Sequence, residues 1–394
     1  MNLEEQLRAE LDRIREQGLY RETIPARHEG GGRIRVGGAD FLNLASNDYL
    51  GLACDPDLLA EFYAHLDPAA LPGDFGPGST ASRLMTGNHG LYQRLEEGLA
   101  GMYGRPRALV FNSGYHCNLG ILPALAGRQD LVLADKLCHA SLIDGMRLCR
   151  ARVIRYPHLD YDRLQALLEE HRPRHRQVFL VTESIFSMDG DLADLRRLVR
   201  LKEEWQAVLY VDEAHAVGTR GSRGLGLAGE QGVVADIDLL VGTFGKAWGG
   251  QGAWLLCRQT VADYLVNTAR SLIFTTALPP VSLAWLCFLL PRIQRLERQR
   301  RHLRDLAARL RRELGRQALA TRGESNIVPV MIGDAARAVA TAEALRRHGF
   351  WVNAVRPPTV PAGTARLRIS LTAAMDWQQL APLPGLIASI LREG

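Results

Sequence analysis

The stretches VLYVDEAH at residues 208–215 and LLVGTFGKAWGG at residues 239–250 are the most informative part of this sequence. Each begins as a short apolar run, which is typical of a buried strand, and ends in polar residues and a turn. The first run leads into Asp212, and the second leads into a glycine-rich turn that carries Lys246. We therefore expect both charged side chains at the edge of one buried sheet.

The same pattern repeats between residues 90 and 255, where short apolar runs alternate with amphipathic helical stretches. Such alternation predicts an α/β fold with a mostly parallel central sheet and helices on both faces. The expected helices are 91–102, 161–171 and 195–205. The expected strands are 108–111, 131–133, 153–155, 178–181, 208–211, 239–241 and 253–256.

The chain is long for one hydrophobic core, and its two ends differ in pattern from the middle. We expect an N-terminal helix and strand segment at 1–45, a large domain at 46–285 and a smaller α+β domain at 286–394. The N-terminal helix is predicted at 3–20 and a long arginine-rich helix at 288–316. The C-terminal part follows with strands at 327–332, 351–355 and 367–371 and a helix at 335–348.

Lys246 and Asp212 together indicate the chemistry. A lysine that leaves a buried strand can lose solvation, which lowers its pKa and makes the amine a nucleophile. A buried carboxylate is costly unless it has a partner, and a structural salt bridge is the alternative for Asp212. The combination suggests a Schiff-base lysine and a pyridinium partner, which points to pyridoxal phosphate (PLP).

Other candidate residues follow neighbouring strands, whose carboxyl ends form the usual binding edge of such sheets. Thr243 could bind a phosphate, and so could the helix that starts after Ser113. His215 could bond the phenolate oxygen of the cofactor, and His139 could stack on its ring. A turn threonine, a simple helix cap and core or capping histidines are the respective alternatives.

Composition narrows the class of protein. The six cysteines are scattered without metal-ligand spacing, so we expect free thiols in a reducing compartment and no metal site. The polar start and the short apolar stretches predict neither a signal peptide nor a membrane span, hence a cytoplasmic protein. The formal net charge is +5 but dispersed, which disfavours nucleic-acid binding. The basic surface either receives acidic partners or carboxylates, or merely aids solubility.

Several motifs resemble the α-oxoamine synthase family, which are PLP-dependent enzymes of fold type I. The resemblance extends from about residue 42 to residue 374. Its markers are SNDYLGL at 46–52, SRLMTGN at 82–88, ESIFSMDG at 183–190, DEAH at 212–215 and TFGK at 243–246. The run RPPTVP at 356–361, followed by RLRI at 366–369, resembles the branch that serves biotin biosynthesis.

That resemblance implies a decarboxylative condensation of L-alanine with a pimeloyl thioester, delivered by acyl carrier protein or CoA. It implies that Lys246 holds PLP and removes the Cα proton, that Asp212 stabilises the carbanionic stages and that His139 stacks on the ring. Further implied cofactor-binding residues are Gly114, Tyr115, Ser187, His215 and Thr243. The implied substrate-binding residues are Arg21, Asn47, Arg356 and Thr359.

The resemblance also implies a homodimer with active sites at the subunit interface. Thr275 and Thr276 resemble the segment that reaches the cofactor phosphate of the partner, and Asn47 would lie near the same interface. Two alternatives remain: another family member that uses glycine or serine with a different acyl thioester, and a non-catalytic protein with the same fold. Non-catalytic relatives commonly lose the Schiff-base lysine, whereas Lys246 is present.

Overall fold

The structure is a computed structural model, and it describes residues 2–393 apart from Leu66, Pro68 and Ala70. Fourteen strands and sixteen α-helices are assigned within this part of the chain. The strands are β1 (Arg27–Gly30), β2 (Arg33–Val36), β3 (Ala39–Asn43), β4 (Arg107–Phe111), β5 (Leu131–Asp135), β6 (Arg152–Tyr156), β7 (Val178–Glu183), β8 (Val208–Asp212), β9 (Leu239–Thr243), β10 (Ala253–Cys257), β11 (Ile327–Gly333), β12 (Phe350–Trp351), β13 (Asn353–Val355) and β14 (Ala365–Ser370).

The helices vary from a single turn to twenty residues. They are α1 (Leu3–Glu16), α2 (Pro56–Ala64), α3 (Leu71–Asp74), α4 (Gly90–Tyr103), α5 (Gly114–Leu125), α6 (Ala140–Leu148), α7 (Tyr161–His171), α8 (Leu195–Glu204), α9 (Gly226–Gln231), α10 (Gln259–Thr268), α11 (Arg270–Ile273), α12 (Pro280–Ile293), α13 (Glu297–Arg316), α14 (Ala335–Arg347), α15 (Trp377–Leu380) and α16 (Leu383–Glu393).

A seven-stranded sheet in the order β4-β10-β9-β8-β7-β5-β6 forms the centre of the fold. Its strands run parallel except β10, which is antiparallel to both of its neighbours. All seven predicted strands are present, each within two residues of its expected ends. The predicted α/β architecture is therefore confirmed, and the carboxyl ends of β4, β5, β7, β8 and β9 meet at one edge.

Two hydrophobic cores cover the two faces of this sheet. Side chains alternate along each strand, so that Leu131 and Leu133 enter one core while Val132 and Ala134 enter the other. The period of two is what a strand buried on both faces requires. This double burial holds the carboxyl edge rigid, because none of the inner strands can shift without disturbing both cores.

Both ends of the chain are linked by strand pairing. β1, β2 and β3 form an antiparallel sheet, to which β12 adds in parallel with β3. The N-terminal segment thus shares a sheet with the C-terminal part of the chain. A third sheet has the order β11-β14-β13. The division at residues 45 and 285 stays a prediction.

Three of the predicted elements are wrong in detail. The first helix ends at Glu16 because Gly18 adopts a left-handed conformation with φ of 65°. The predicted helix 288–316 is broken, because the Arg300 guanidinium donates to the carbonyl oxygens of Ile293 and Gln294 and so caps the end of α12. The predicted strand 351–355 is also interrupted: Trp351 pairs with β3, whereas Asn353 pairs with β14.

Within the described part of the chain, every helix is too short or too polar to cross a lipid bilayer.

The packing of α5 against α6 depends on Gly145. A Cβ at this position would lie 2.4 Å from the carbonyl oxygen of Asn118, which is backbone and cannot rotate away. We expect Gly145→Ala to lower the free energy of unfolding by about 1–3 kcal/mol through overpacking. Urea denaturation of the purified protein measures this change.

Gly101→Ala in α4 is the matched control, since among the described residues no atom outside the adjoining helix backbone lies within 4 Å of the added Cβ. Alanine is the better helix former, so this variant should gain about 0.5–1 kcal/mol. Equal stability of the Gly145→Ala variant and the unsubstituted protein would contradict the packing argument.

Candidate active site

A cavity of about 890 Å³ opens at the carboxyl edge of the central sheet. Eight of the predicted site residues line it: Arg21, Asn47, His139, Ser187, His215, Lys246, Arg356 and Thr359. The remaining predicted residues, which are Asp212, Gly114, Tyr115, Thr243, Thr275 and Thr276, lie outside this lining. The structure therefore brings together residues from both ends and the middle of the chain.

Lys246 enters the cavity from a constrained turn after β9. Thr243 braces this turn, because its hydroxyl donates to the carbonyl of Gly252 at 3.0 Å and accepts from the amide of Gly245 at 3.1 Å. Burial lowers the pKa of Lys246 to about 8, although Asp212 and Glu183 oppose the shift. A sizeable fraction of the amine is therefore unprotonated near neutral pH, as a nucleophile or base requires.

His215 is the direct partner of Lys246, with 2.9 Å between its Nε2 and the lysine Nζ. Its other nitrogen, Nδ1, lies 2.6 Å from the hydroxyl of Tyr49. Burial holds the pKa of His215 well below its usual range, and Lys246 adds to this shift. The imidazole is therefore neutral and acts as a hydrogen-bonding group.

Asp212 lies at the end of β8, and its hydrogen-bond partners among the described residues are neutral. Its Oδ2 accepts from Asn118 Nδ2 at 2.7 Å and its Oδ1 accepts from the amide of Ala214 at 2.9 Å. Tyr210 and Ser141 hold the Asn118 side chain in turn. These contacts orient the carboxylate without neutralising its charge, which leaves it available to a cationic ligand group.

Glu183 is absent from the predicted site residues, although it ends β7 beside Asp212. Its Oε1 accepts from the backbone amide of His139 at 2.5 Å, which positions the start of α6. Burial raises the pKa of Glu183 well above its usual range, and Asp212 adds to this shift. The sequence feature that indicates a functional role for Glu183 is its place at the end of a strand and at the start of the motif 183–190.

Arg368 is a second residue that the predicted site lacks. Its Nε donates to the carbonyl of Ser187 at 2.6 Å, and its Nη2 donates to Asn47 Oδ1 at 3.3 Å. The side chain is nearly buried, yet it lines the cavity with Lys246. A guanidinium held in this way is suited to bind a carboxylate. The signal in the sequence is an arginine between the buried Leu367 and Ile369 of β14.

Two further arginines line the same cavity, Arg21 from the N-terminal segment and Arg356 from the C-terminal part of the chain. Arg21 Nη2 is 3.4 Å from Thr359 Oγ1, and Arg356 Nη2 donates to the carbonyl of Tyr20 at 3.2 Å. Arg21 and Thr359 are exposed, whereas Arg356 is half-buried. The structure thus places together substrate-site candidates that lie far apart in the sequence.

Four further candidates cluster at the start of α5. An ideal Cβ on Gly114 would lie 3.9 Å from Thr243 Oγ1. Asn112, two residues before Gly114, donates to Thr275 Oγ1 at 3.2 Å and to the carbonyl of Thr276 at 2.5 Å. A helix N-terminus surrounded by hydroxyl groups is suited to an anion.

Tyr115 and His139 have different surroundings. The Tyr115 hydroxyl donates to Asp144, and its ring is half-exposed. His139 caps α6, where its Nδ1 lies 2.8 Å from Ser141 Oγ, and its ring faces the cavity. Stacking of either ring on a cofactor stays a prediction.

The residues present fit PLP. The aldehyde needs a primary amine, the ring nitrogen needs a carboxylate and the phosphate needs an anion site. Lys246, Asp212 and the start of α5 provide these three groups from the ends of β9, β8 and β4. Within the described residues, no cluster of three or more His, Cys, Asp or Glu side chains could hold a metal ion.

Comparisons with known proteins agree with this donor set. Residues 39–384 match the family model for aminotransferase class I and II. An 8-amino-7-oxononanoate synthase from Chlorobaculum parvum is 50% identical over 99% of this chain and 100% of its own length.

Solved structures are similar as well. A serine palmitoyltransferase from S. paucimobilis with a bound PLP–myriocin aldimine has a TM-score of 0.91 and 30% identity, covering 100% of this chain and 99% of its own. An 8-amino-7-oxononanoate synthase from Francisella tularensis has a TM-score of 0.76 and 27% identity, covering 90% of this chain and 98% of its own. The chain therefore belongs to the aminotransferase class I and II family and, within it, to the PLP-dependent α-oxoamine synthases.

Proposed function

We propose that this protein condenses L-alanine with a pimeloyl thioester, releasing CO₂ and the free thiol and forming 8-amino-7-oxononanoate for biotin biosynthesis. The similarity to 8-amino-7-oxononanoate synthases over nearly the whole chain supports this assignment. The observation in the structure that carries it is that Arg21, Arg356 and Arg368 line the same cavity as Lys246.

These arginines suit the carboxylates of the two proposed substrates. Arg368 donates to Asn47 and is close enough to Lys246 to affect its pKa, so it would bind the carboxylate of L-alanine. Arg21 and Arg356 lie beside Thr359 and Tyr20 and would bind the distal carboxylate of the pimeloyl chain. A guanidinium is the preferred partner for each carboxylate, because its paired donors match the two oxygens.

PLP, when bound, supplies a protonated pyridine ring that withdraws electrons from the Cα atom of the amino acid. Asp212 would keep the ring nitrogen protonated, since the groups that donate hydrogen bonds to it in the described part of the chain are neutral and leave its charge in place. Lys246 would hold the cofactor at rest and, once released, accept the Cα proton of L-alanine at its Nζ. Its lowered pKa favours this proton transfer near neutral pH.

The remaining predicted residues would hold and orient the cofactor. Gly114 and Thr243 would hold the phosphate at the start of α5, and Thr275 and Thr276 would reach the cofactor phosphate of the partner subunit. His215 and Ser187 would bind the polar edge of the ring, and His139 and Tyr115 would contact its faces.

A homodimer is part of the proposal. Phe274, directly before Thr275, is 70% exposed. Thr276 forms a β-bridge with Ser82, and Met85, three residues after Ser82, is 78% exposed. Large exposed apolar side chains beside an expected interface segment support burial by a second subunit. We place the enzyme in the cytoplasm, with acyl carrier protein or CoA as the carrier of the acyl group.

Competition between amino acids tests the proposed reaction. We expect kcat/KM with pimeloyl-CoA to be about 10–200-fold higher for L-alanine than for glycine, because a site shaped for the methyl group loses that contact. L-serine should also be the poorer substrate. The free thiol released in steady state measures each rate.

The structural similarity to serine palmitoyltransferase makes a different amino acid the specific alternative. Pimeloyl-CoA and palmitoyl-CoA should therefore be compared with all three amino acids. A preference of several fold for glycine or serine with both thioesters would overturn the assignment to biotin biosynthesis.

A further inference from the structure

One face of α14 forms a wall of the cavity that holds Lys246. Val339, Ala342, Glu343 and Arg346 line it, and their spacing in the sequence places them on the same side of the helix. The wall is apolar at Val339 and Ala342 and charged further along, where Arg346 lies roughly 10 Å from Val339 along the helix axis. Such a wall suits a ligand that has a hydrocarbon part and a charged end.

Arg346 is held in this wall by an aromatic ring and not by an anion. Its guanidinium carbon lies 4.3 Å from the centre of the Trp351 ring. Its Nε is buried and has no hydrogen-bond partner among the described residues. The ion pairs found in the same part of the chain do not include Arg346 either. The protein itself therefore leaves the charge of this guanidinium without a counter-ion.

The other three arginines of the cavity have different surroundings. Arg356 and Arg368 donate hydrogen bonds to backbone carbonyl groups. Arg21 is exposed, so water screens its charge. Arg346 is partly buried, and a cationic donor that is withdrawn from water without an acceptor is costly. Of the four arginines, Arg346 therefore gains most from an anionic ligand.

We propose that Arg346 binds the distal carboxylate of the acyl chain, together with Arg21 and Arg356, and so selects a dicarboxylic acyl chain over a fatty acyl chain of the same length. α14 packs against β13, and Arg356 is the residue that follows β13, so two of these guanidinium groups come from neighbouring elements. The methylene groups of the chain would contact Val339 and Ala342. The identity of the acyl chain rests on the proposed function.

The selection depends on charge at the end of the acyl chain. A guanidinium stabilises a carboxylate through paired donors, whereas a methyl group leaves those donors without an acceptor. Two carboxylates, Glu22 and Glu343, also line the cavity and oppose the binding of another anion. The four arginines and Lys246 outnumber them, so the cavity keeps a positive excess for a dicarboxylic chain.

Two thioesters of equal chain length test the role of Arg346. Pimeloyl-CoA and heptanoyl-CoA differ only at the far end of the acyl chain, which is a carboxylate in the first and a methyl group in the second. With L-alanine, we expect Arg346→Met to lower kcat/KM for pimeloyl-CoA by about 10–100-fold, as follows from the loss of a charge-assisted hydrogen bond. The kcat/KM for heptanoyl-CoA should stay unchanged.

The neighbouring arginine provides the matched control. Arg347 is exposed, lies on the same helix and does not line the cavity. Arg347→Met should therefore leave kcat/KM unchanged for both thioesters. Arg346→Lys keeps the charge but loses the paired donors, so its loss with pimeloyl-CoA should lie between those of the unsubstituted protein and Arg346→Met.

Calorimetric titration provides a second readout that needs no turnover. Each thioester is titrated into the PLP-loaded protein in the absence of L-alanine. The Kd of pimeloyl-CoA should rise by about 10–100-fold in Arg346→Met, and the Kd of heptanoyl-CoA should not change. If pimeloyl-CoA bound through Arg346 but L-alanine released no thiol from it, the proposed reaction would fail while the role of Arg346 held.

Equal losses of kcat/KM with the two thioesters in Arg346→Met would overturn the inference. Arg346 would then contact the CoA part that both thioesters share, or would merely support the fold. An unchanged Kd of pimeloyl-CoA in Arg346→Met would overturn it as well, even if the protein condensed L-alanine with pimeloyl-CoA at a normal rate.

Discussion

Replacement of Lys246 by alanine is expected to reduce kcat for condensation with L-alanine by at least about 10⁴-fold, because both the covalent anchor and the base are removed. PLP should still bind, through Asp212 and the anion site at the start of α5, but without a covalent bond to the protein. Steady-state thiol release and the visible absorbance of the bound cofactor measure the two effects separately.

The chain offers a sharp control, since it contains three lysines in all. Lys136 is exposed, and Lys202 donates to the carbonyl of Asp236 at 2.9 Å. Borohydride reduction of the PLP-loaded protein followed by peptide mapping should label Lys246, and Lys136→Ala should keep full activity. Label on Lys136 or Lys202 in place of Lys246, or an active Lys246→Ala variant, would refute the assignment.

Asp212→Asn is expected to reduce kcat by about 10²–10³-fold, because an amide cannot keep the ring nitrogen protonated. Both carboxylate oxygens accept hydrogen bonds in the unsubstituted protein. The NH₂ group of the new asparagine would therefore point at an N–H donor, either the Asn118 amide or the Ala214 backbone amide. Exchange of the Cα proton of L-alanine in D₂O isolates this effect, since it needs no acyl thioester.

The adjacent Glu213 provides the matched control. It is fully buried, and burial raises its pKa to about 8, so the side chain is already protonated at neutral pH. Because the pKa is raised above its usual value, the neutral form is the stable one below pH 8, and Glu213→Gln should exchange the Cα proton at the unsubstituted rate. If Asp212→Asn and Glu213→Gln reduced the rate of Cα proton exchange equally, the defect would come from disturbed packing and not from the loss of the carboxylate charge.

Two features in the C-terminal part of the chain could not be predicted from the sequence. The break between α12 and α13 is caused by Arg300, whose guanidinium satisfies carbonyl groups one to two turns earlier in the chain. The interruption near Val352 arises because its two flanks pair with different sheets. Neither feature changes the local pattern of apolar residues, so neither could be found from periodicity.

The candidate site divides in the same way. Lys246, Asp212, Thr243 and His215 could be proposed from sequence because each follows an apolar strand, and parallel strands deliver their carboxyl ends to one edge. Glu183 and Arg368 acquire their roles from contacts with residues far away in the chain. Arg368, for example, donates hydrogen bonds to Asn47 and to the carbonyl of Ser187, which are both far from it in the sequence.

The order of strands and helices along the chain, the confirmed α/β fold and the groups that suit PLP could all be read from the amino-acid sequence. These follow from local periodicity and from the chemistry of single side chains. The pairing of Lys246 with His215 and the contact between His215 and Tyr49 became apparent only from the folded chain. Hydrogen-bond direction depends on the positions of both partners, and those positions are set by the packing of distant elements.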